Sequence, residues 1–252
     1  MLLLVGCAGD DATTAATTAA PTVGGLTVDQ RRRADELVSI FENSTTELQY
    51  GYAEDLGDGR GVTAGRAGFT TRTCDALDVV DRYGEEPLAA YLPELERLCA
   101  DDSDDTSGLD GFVDAWAEAA EDPAFRRVQD EAVDDTYFLP AMALADDLGL
   151  ETAVARAELY DAAIQHGIGD DPDGLPAMIR RTGAVDDEAA WLDAFFDVRL
   201  ATLRHPADEA TAAEWAESTD RVRCLQAIAD SGDVDLDGPL RCTVYGDEFT
   251  VD

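Results

Sequence analysis

The chain has 252 residues and a formal net charge of −37, because 55 acidic residues stand against 18 basic ones, all of them arginine. Binding to nucleic acid or to anionic lipid headgroups depends on neutralising phosphates, so this composition argues against both. The acidic excess favours either a cationic partner or a salt-rich environment, and charge alone does not choose between them.

The N-terminus is an apolar run that ends at a cysteine, Met1-Leu2-Leu3-Leu4-Val5-Gly6-Cys7. It is similar to the lipobox of bacterial lipoproteins, which would make Cys7 the attachment point of a lipid anchor. The run is too short to span a membrane and carries no preceding positive charges, which indicates a true start upstream of Met1. The alternative is a frayed terminus with an idle cysteine. The Ala/Thr-rich stretch from Ala8 to Gly25 has no apolar period and is predicted to be disordered.

The pattern after this linker is mostly helical, and its length fits one domain or two closely joined lobes. We therefore divide the chain into a signal remnant and linker at 1–26 and a single domain at 27–252. Thr27 and Gln30 form a possible capping box for the first helix, which should end near Asn43. Aromatic residues at helical spacing, among them Trp116 and Trp191, are predicted to form the core. Further helices are predicted at 73–83, 87–99, 109–120, 123–147 with a kink or break at Pro140, 151–166, 174–182, 187–204 and 208–230.

Four cysteines lie beyond Cys7, at Cys74, Cys99, Cys224 and Cys242. Their spacing matches no zinc pattern, and an even number in an exported chain indicates disulfides with three possible connectivities. Local pairing is the simplest choice, which favours Cys74 with Cys99 and Cys224 with Cys242. Free buried thiols are the alternative.

Two carboxylates stand at the edges of a glycine-punctuated stretch between the first helix and the next. Glu42 ends the apolar pattern of the first helix. Asp58 lies between Gly57 and Gly59, in a loop that follows a strand candidate at 49–53 and precedes another at 62–69. A glutamate on a helix end that faces an aspartate on a loop suits glycoside hydrolysis, in which one carboxyl group protonates the leaving oxygen and the other activates water. The alternative is chance, because an acidic chain contains many such pairs and Gly-Asp-Gly is a common surface turn.

The literal motif around these carboxylates resembles the active-site segment of the family 46 chitosanases, secreted enzymes that cut β-1,4-linked glucosamine polymers. The resemblance extends over about residues 28–252 and gives nothing to align at about 205–220. It is carried by Glu42-Asn43-Ser44, by Gln49-Tyr50-x-Tyr52-x-Glu54-Asp55-x-Gly57-Asp58-Gly59-Arg60-Gly61-x-Thr63, by Tyr137-Phe138-x-Pro140-Ala141, by Tyr160-Asp161-Ala162, by His166-Gly167-x-Gly169-x-Asp171-Pro172 and by Leu236-x-x-Pro239-Leu240.

The resemblance implies a role for each matching residue. Glu42 would be the general acid, Asp58 the general base, and Thr63 the hydroxyl that holds the attacking water. Arg60 would balance Asp58 and help to close the cleft. The residues implied to contact glucosamine are Tyr52, Glu54 and Asp75, and His166 could reach the cleft rim. For the last two the alternatives are a helix-start aspartate and a structural histidine.

Two charged residues lie on helix faces that should point inward. Arg199 follows the apolar stripe of Trp191 and Phe195, and Asp161 follows Val154 and Ala157. A buried charge must be paired, so the pattern predicts that these two residues meet. The resemblance adds Arg221 as a second arginine on the same aspartate. The alternative is that the charged heads reach water at a helix edge.

These observations predict a mainly α, lysozyme-like α+β fold, with two helical lobes around a cleft and a small β-sheet beside it. The predicted function is endo-acting, inverting hydrolysis of chitosan by an extracellular or cell-surface monomer, with no cofactor, no metal, no nucleic acid and no membrane span. Three alternatives stay open, namely a lysozyme- or chitinase-like hydrolase of N-acetylated glycans, an inactive, lipid-anchored sugar-binding protein, and a plain structural lipoprotein.

Overall fold

The computed structural model describes residues 21–207 and 212–252, and most of them are helical. The helices are α1 (Val28–Asn43), α2 (Asp75–Tyr83), α3 (Leu92–Asp101), α4 (Phe112–Ala119), α5 (Pro123–Val133), α6 (Leu139–Leu148), α7 (Ala153–His166), α8 (Leu175–Thr182), α9 (Glu188–Arg204), α10 (Ala212–Glu217) and α11 (Thr219–Asp230). Two short 3₁₀ turns, Leu88–Tyr91 and Thr106–Gly108, precede α3 and α4.

Three small antiparallel sheets complete the described fold. Strands β1 (Thr22–Val23) and β2 (Leu26–Thr27) form a hairpin before α1. Strands β3 (Ala53–Asp55), β4 (Val62–Ala64) and β5 (Phe69–Thr70) form a three-stranded sheet in that order, with Thr63 opposite Glu54 and Thr70. Strands β6 (Leu240–Val244) and β7 (Asp247–Val251) form the last hairpin. The predicted mainly helical, two-lobed fold with a small sheet is therefore confirmed.

The first helix begins and ends where the sequence predicts. The Thr27 hydroxyl accepts a hydrogen bond from the Gln30 backbone N–H, and the Gln30 side chain accepts one from the Thr27 N–H. This reciprocal capping box satisfies two N–H groups that have no partner inside the helix. The helix buries Leu37, Ile40 and Phe41, so its last turn is fixed against the core just before Glu42.

The core is continuous through both lobes. In one lobe Trp116 packs edge-on against Phe125, with ring centroids 4.9 Å apart, and in the other Trp191 stacks on Phe195 at 5.2 Å. Trp116 and Trp191 are buried as predicted, together with Phe112, Phe125 and Phe195, and Val128 is partly buried against them.

The β4–β5 turn is fixed by a buried arginine. Arg66 donates to Asp35 of α1 at 2.7 Å and to Asp130 of α5, and its backbone N–H donates to the Gln129 side chain at 3.2 Å. The preceding Gly65 has a φ of +73°, and a Cβ there would collide with Gln129 and the Phe69 ring. Only glycine therefore fits at this point, where the β4–β5 turn packs against the side chain of Gln129 in α5.

Several predicted boundaries differ from the observed ones at the N-terminal side. Residues 22–25, which the linker prediction includes, form the first strand and turn of a hairpin, because Gly24 and Gly25 both adopt the positive φ that a type I′ turn requires. Residues 1–20, with the Cys7 prediction, lie outside the described residues. The strand predicted at 49–53 is instead β3 at Ala53–Asp55, and the strand predicted at 62–69 is divided between β4 and β5.

The predicted break at Pro140 takes another form. The helix widens into a π-helical turn at Asp134–Phe138, where the Leu139 N–H donates to the Asp134 carbonyl. Pro140 then occupies the first turn of α6, where a backbone N–H is not needed. Likewise, α3 starts at Leu92 and not at Pro87, and the helix predicted at 208–230 is observed as α10 and α11, with 208–211 outside the described residues.

The disulfide pairing is the local one. Cys74 is bonded to Cys99 and Cys224 to Cys242, with Cα–Cα distances of 4.9 and 5.1 Å. The second bond joins α11 to β6 of the C-terminal hairpin, whose strands the sequence analysis missed. Its turn residues Tyr245 and Gly246 both have positive φ, so this is again a two-residue hairpin turn.

Within residues 21–207 and 212–252, no helix combines the length and the apolar character that crossing a membrane requires.

Replacing both Cys224 and Cys242 by alanine should lower the free energy of unfolding by about 3 kcal/mol, because the bond closes a loop of 18 residues in the unfolded chain. The Cys74–Cys99 bond closes 25 residues and should contribute nearly the same amount. Urea unfolding of both double variants checks this, with the reduced wild type as control. A loss below 1 kcal/mol in either variant would contradict the expected stabilisation.

Candidate active site

Glu42 lies in the last turn of α1, with its side chain partly exposed. The helix ends at Ser44, which has a φ of +54° and donates its N–H to the Ile40 carbonyl. Phe41 is buried, whereas the Glu42 side chain keeps 32% of its surface exposed. Its Oε1 accepts a hydrogen bond from Arg221 Nη2 at 2.8 Å, and Oε2 has no hydrogen-bond partner among the described residues. One carboxyl oxygen is thus held and the other can face a ligand.

Arg221 is held in turn by a buried carboxylate. Its Nη2 donates to Asp161 Oδ1 at 2.6 Å and its Nε to Asp161 Oδ2 at 3.1 Å. Arg199 approaches the same Asp161 Oδ2 from the other side, with Nη2 at 2.6 Å. The two arginines lower the pKa of the Asp161 carboxyl despite its burial, which acts in the opposite direction. The structure therefore brings together the three residues of the predicted charge cluster.

Asp58 lies on the exposed loop between β3 and β4. Gly57, Gly59 and Gly61 all have positive φ, which lets the chain turn tightly on both sides of the aspartate. Asp58 Oδ2 accepts from Arg60 Nε at 2.9 Å and Nη2 at 2.6 Å, and Oδ1 accepts from the Arg60 backbone N–H at 3.0 Å. These hydrogen bonds hold the pKa of Asp58 below its usual value, so the group stays ionised.

Thr63 is the central residue of β4 and is 6% exposed. Its hydroxyl is buried, yet among the described residues it has no hydrogen-bond partner. A buried hydroxyl without a partner is costly, which is the expected state of a group whose partner is a water molecule or a ligand.

Two further predicted contacts lie on β3 and just before it. The Tyr52 hydroxyl donates to Glu54 Oε2 at 3.2 Å, and Glu54 is directly opposite Thr63 in the sheet. Burial raises the pKa of Tyr52, and the hydrogen bond to Glu54 raises it further. The exposed Glu54 carboxylate is therefore positioned by the tyrosine beside it.

Asp75 is the first residue of α2. Its Oδ1 accepts hydrogen bonds from the Thr70 N–H at 2.8 Å, the Thr73 hydroxyl at 2.7 Å and the Ala76 N–H at 3.1 Å. Burial raises its pKa although these bonds lower it. Among the described residues, Oδ2 has no hydrogen-bond partner, so it remains available to a ligand.

Tyr137 is a further candidate for the site, which the sequence analysis quoted in a motif without giving it a role. It lies in the π-helical turn between α5 and α6, an irregularity that often occurs at functional sites. Burial raises the pKa of its hydroxyl to about 12, and the nearby charges of Asp75 and Glu42 add to this effect. Tyr137 therefore lies near both carboxylates.

His166 does not occupy the position predicted for it. It is 7% exposed, packs edge-on against Trp215 with ring centroids 5.0 Å apart, and its Nε2 lies 3.4 Å from Arg199 Nε. Burial and the two arginines hold its pKa well below the usual value, so it is neutral. We therefore assign His166 to the packing of the charge cluster and not to substrate contact, because the helix end turns it inward.

A family model described as glycosyl hydrolase family 46 matches residues 36–240. This range contains every predicted site residue from Glu42 to Arg221. The chain belongs to glycosyl hydrolase family 46. A chitosanase of Bacillus subtilis strain 168 is 51% identical over 236 residues, which cover 88% of this chain and 85% of that protein.

Solved structures of family 46 relatives share the fold. The native chitosanase of Bacillus subtilis MY002 aligns with a TM-score of 0.84 at 49% identity, covering 90% of this chain and 100% of that one. The family 46 chitosanase of Gynuella sunshinyii, solved with chitotetraose, aligns with a TM-score of 0.83 at 48% identity, covering 90% and 99%. The helical fold predicted from the motif is therefore the fold of this family.

Replacing Asp161 by alanine in this family 46 chain should lower the free energy of unfolding by about 3–5 kcal/mol, because two buried guanidinium groups would lose their shared partner. Asp101 offers a matched control, since it pairs with Arg97 on the surface of α3 at 3.6 Å. Asp101→Ala should change stability by less than about 1 kcal/mol. Equal denaturation midpoints for Asp161→Ala and the wild type would show that the cluster does not support the fold.

Proposed function

We propose that this chain is an endo-acting chitosanase that cleaves β-1,4-glucosamine linkages with inversion, with Glu42 as general acid and Asp58 as general base. The observation that carries the proposal is the contrast between the two carboxylates. Asp58 is kept ionised by Arg60, whereas Glu42 has one oxygen on Arg221 and its other oxygen without a hydrogen-bond partner among the described residues. Relatives named chitosanases, one of them solved with chitotetraose, support the substrate.

The reaction would be a single displacement by water. Water attacks the anomeric carbon as the glycosidic C–O bond breaks, Asp58 takes a proton from the water, and Glu42 gives its proton to the leaving oxygen. The unpartnered Thr63 hydroxyl is suited to hold the attacking water, because β4 carries it next to the Asp58 loop. Arg60 stabilises the ionised base until the proton is transferred.

A polymer of protonated amines suits the walls of this cleft. Glu54 and Asp75 present carboxylate oxygens beside the acid and the base, and each is fixed by a neighbouring hydroxyl, from Tyr52 and Thr73 respectively. The net charge of −37 attracts a polycation from a distance. Tyr137 would contribute a ring and a hydroxyl near Glu42 and Asp75.

We also propose that the enzyme is exported. Two disulfides in a small family 46 chain support an oxidising compartment. Attachment through Cys7 remains a separate proposal, which mass spectrometry of the membrane fraction would test.

Reducing-end release from well-deacetylated chitosan is the direct assay of the proposal. Faster release from chitin or peptidoglycan would favour a hydrolase of N-acetylated glycans. Binding of glucosamine oligomers without any release would favour an inactive sugar-binding protein.

Glu42→Gln should lower kcat by roughly 10²–10⁴-fold and leave oligosaccharide affinity nearly unchanged, because the transferred proton matters chiefly in the transition state. Proton NMR of fresh wild-type product checks the stereochemistry, since one displacement converts the β-linkage into an initial α-anomer. Appearance of the β-anomer first would reject the inverting mechanism and the role of Asp58 as base.

Arg60→Ala should move the acidic limb of the pH–rate profile to higher pH. The hydrogen bonds from Arg60 lower the pKa of Asp58, so their loss raises that pKa and the base becomes protonated at a higher pH. Activity near pH 4 should therefore fall more than activity near pH 7. Arg97→Ala, which removes a surface arginine paired with Glu94, is the control and should leave the limb in place. An acidic limb common to both variants would contradict the assignment.

A further inference from the structure

The loop that carries the proposed base is held together by contacts within itself. Asp58 accepts hydrogen bonds from the backbone and the side chain of Arg60, two residues later. Gly57, Gly59 and Gly61 give the same loop a backbone with wide conformational freedom. Hydrogen bonds within a loop fix its shape but not its position against the rest of the protein, so the loop needs a contact from outside.

Arg72, in the segment between β5 and α2, supplies such a contact at the end of the loop. Its backbone N–H donates to the Arg60 carbonyl at 3.2 Å, and its Nη1 donates to the Gly59 carbonyl at 2.8 Å. These carbonyl groups belong to the two residues that directly follow Asp58 in the chain. Arg72 therefore holds the backbone that carries the base, and it does so through carbonyl groups and not through the carboxylate.

The guanidinium group of Arg72 is itself fixed by a carboxylate at the end of α3. Its Nε and Nη2 donate to Oδ1 and Oδ2 of Asp102 at 2.8 and 3.0 Å, which is a bidentate pair. The Cys74–Cys99 disulfide joins the same two segments, two residues after Arg72 and three residues before Asp102. The contact to the loop thus starts from a guanidinium group whose position is set from two sides.

The segment that follows α3 also contacts the beginning of the loop. The Thr106 hydroxyl donates to Asp55 Oδ2 at 2.9 Å, and Asp55 Oδ1 accepts the Gly57 N–H at 3.0 Å. The residues from Asp102 to Thr106 therefore support the loop at both ends, through Asp55 on one side of the base and through Arg72 on the other.

The stability of the fold does not explain this arrangement. The side chain of Arg72 is 38% exposed and that of Asp102 is 77% exposed, and exposed ion pairs contribute little to stability. Protonation of the base does not explain it either, because the pKa of Asp58 is lowered by the hydrogen bonds and the charge of Arg60. A role for Arg72 must therefore concern the position of the loop.

We propose that Arg72, anchored by Asp102, is a positioning residue for the proposed base, which it holds where the carboxylate can take a proton from the attacking water. The inference rests on the proposed function, because it takes Asp58 to be the general base. Water must fit between the base and the sugar in an inverting reaction. A displacement of about 1 Å in such a geometry can lower the rate by about 10²-fold, so a support for the loop has a direct effect on turnover.

Arg72→Ala should lower kcat by roughly 10- to 100-fold, because the base would no longer be held in place against the water. The KM should stay nearly unchanged, since Glu54 and Asp75, which are proposed to bind the sugar, do not depend on this contact. The Tm should fall by no more than about 3 °C, as expected for an exposed ion pair. A wild-type kcat in Arg72→Ala overturns the inference.

Arg97 offers the matched control. Its side chain is 41% exposed, and it pairs with Glu94 on α3, the helix that Asp102 ends. Arg97→Ala removes an arginine of similar exposure from the same helix and should keep the wild-type kcat. An equal loss of kcat in Arg97→Ala and Arg72→Ala would show a general effect of charge, which contradicts the inference.

Two variants of similar length test whether the donor at position 72 matters. Arg72→Lys keeps a positive donor that can reach the Gly59 carbonyl, whereas Arg72→Met has no donor. Turnover should therefore be higher in Arg72→Lys than in Arg72→Met. Equal turnover in the two variants would show that the hydrogen bond to the loop has no role.

A double-mutant cycle separates positioning of the base from a general loss of structure. In an Asp58→Asn background there is no base left to position, so adding Arg72→Ala should lower turnover much less than it does in the wild type. A residue that acts only through structure would lower turnover by the same factor in both backgrounds, and that result would overturn the inference. The acidic limb of the pH–rate profile should stay in place in Arg72→Ala, because Arg72 contacts carbonyl groups and Arg60 contacts the carboxylate.

Failure of this inference can be told apart from failure of the proposed function. If Asp58→Asn keeps wild-type turnover, Asp58 is not the base and the proposed function is wrong. If Asp58→Asn is strongly slowed while Arg72→Ala turns over like the wild type, only the role of Arg72 is wrong.

Discussion

The structure depends most on one buried guanidinium group, that of Arg221. A desolvated positive charge must be compensated, and Arg221 is compensated on one side by Asp161 and on the other by Glu42. Arg221 is 60 residues from Asp161 and 179 from Glu42 in sequence, so three distant helices must pack correctly before the glutamate is in place. The same contact also stabilises the fold, because separating the helices would leave the charge unpaired. Stability and the position of the proposed acid are therefore set by the same hydrogen bonds.

The hydrogen bonds to the carboxylate of the proposed base are local. Asp58 is fixed by Arg60, two residues later, through both its backbone N–H and its side chain. The glycines on either side permit the tight turns, and no distant helix is needed to bring the pair together. The loop is exposed, and the arginine that holds Asp58 is itself half exposed. The proposed acid is thus held by a buried arginine and the proposed base by an exposed one.

The sequence predicted most accurately the features that depend on a few neighbouring residues and those in which a charged residue interrupts the apolar face of a helix. The Thr27–Gln30 capping box, the local disulfides and the inward-facing Arg199 and Asp161 belong to this group, and each has a direct physical reason. Glu158, whose buried carboxyl group accepts a hydrogen bond from Arg199, was missed because α7 is buried on nearly every side. Its sequence therefore shows no separate apolar and polar faces, and a charged residue does not stand out as inward-facing. The two hairpins were missed because their strands are short, although Gly24-Gly25 was a turn signal. His166 was misplaced because a helix end gives no information on whether the ring turns outward or inward.

The large negative charge and the fine adjustment of the two carboxyl groups act over different distances. Surface carboxylates act on each other and on an approaching polymer through water, where the field decays over about 8 Å at physiological salt. Glu42 and Asp58 instead contact arginines at 2.6–2.9 Å, partly out of solvent. Added salt would therefore weaken the attraction of a polycation and leave the buried hydrogen bonds among Arg199, Asp161 and Arg221 nearly unchanged. The acidic surface can serve both capture of a cationic polymer and tolerance of a saline environment. The proposed proton transfers at Glu42 and Asp58 depend on neither of these properties.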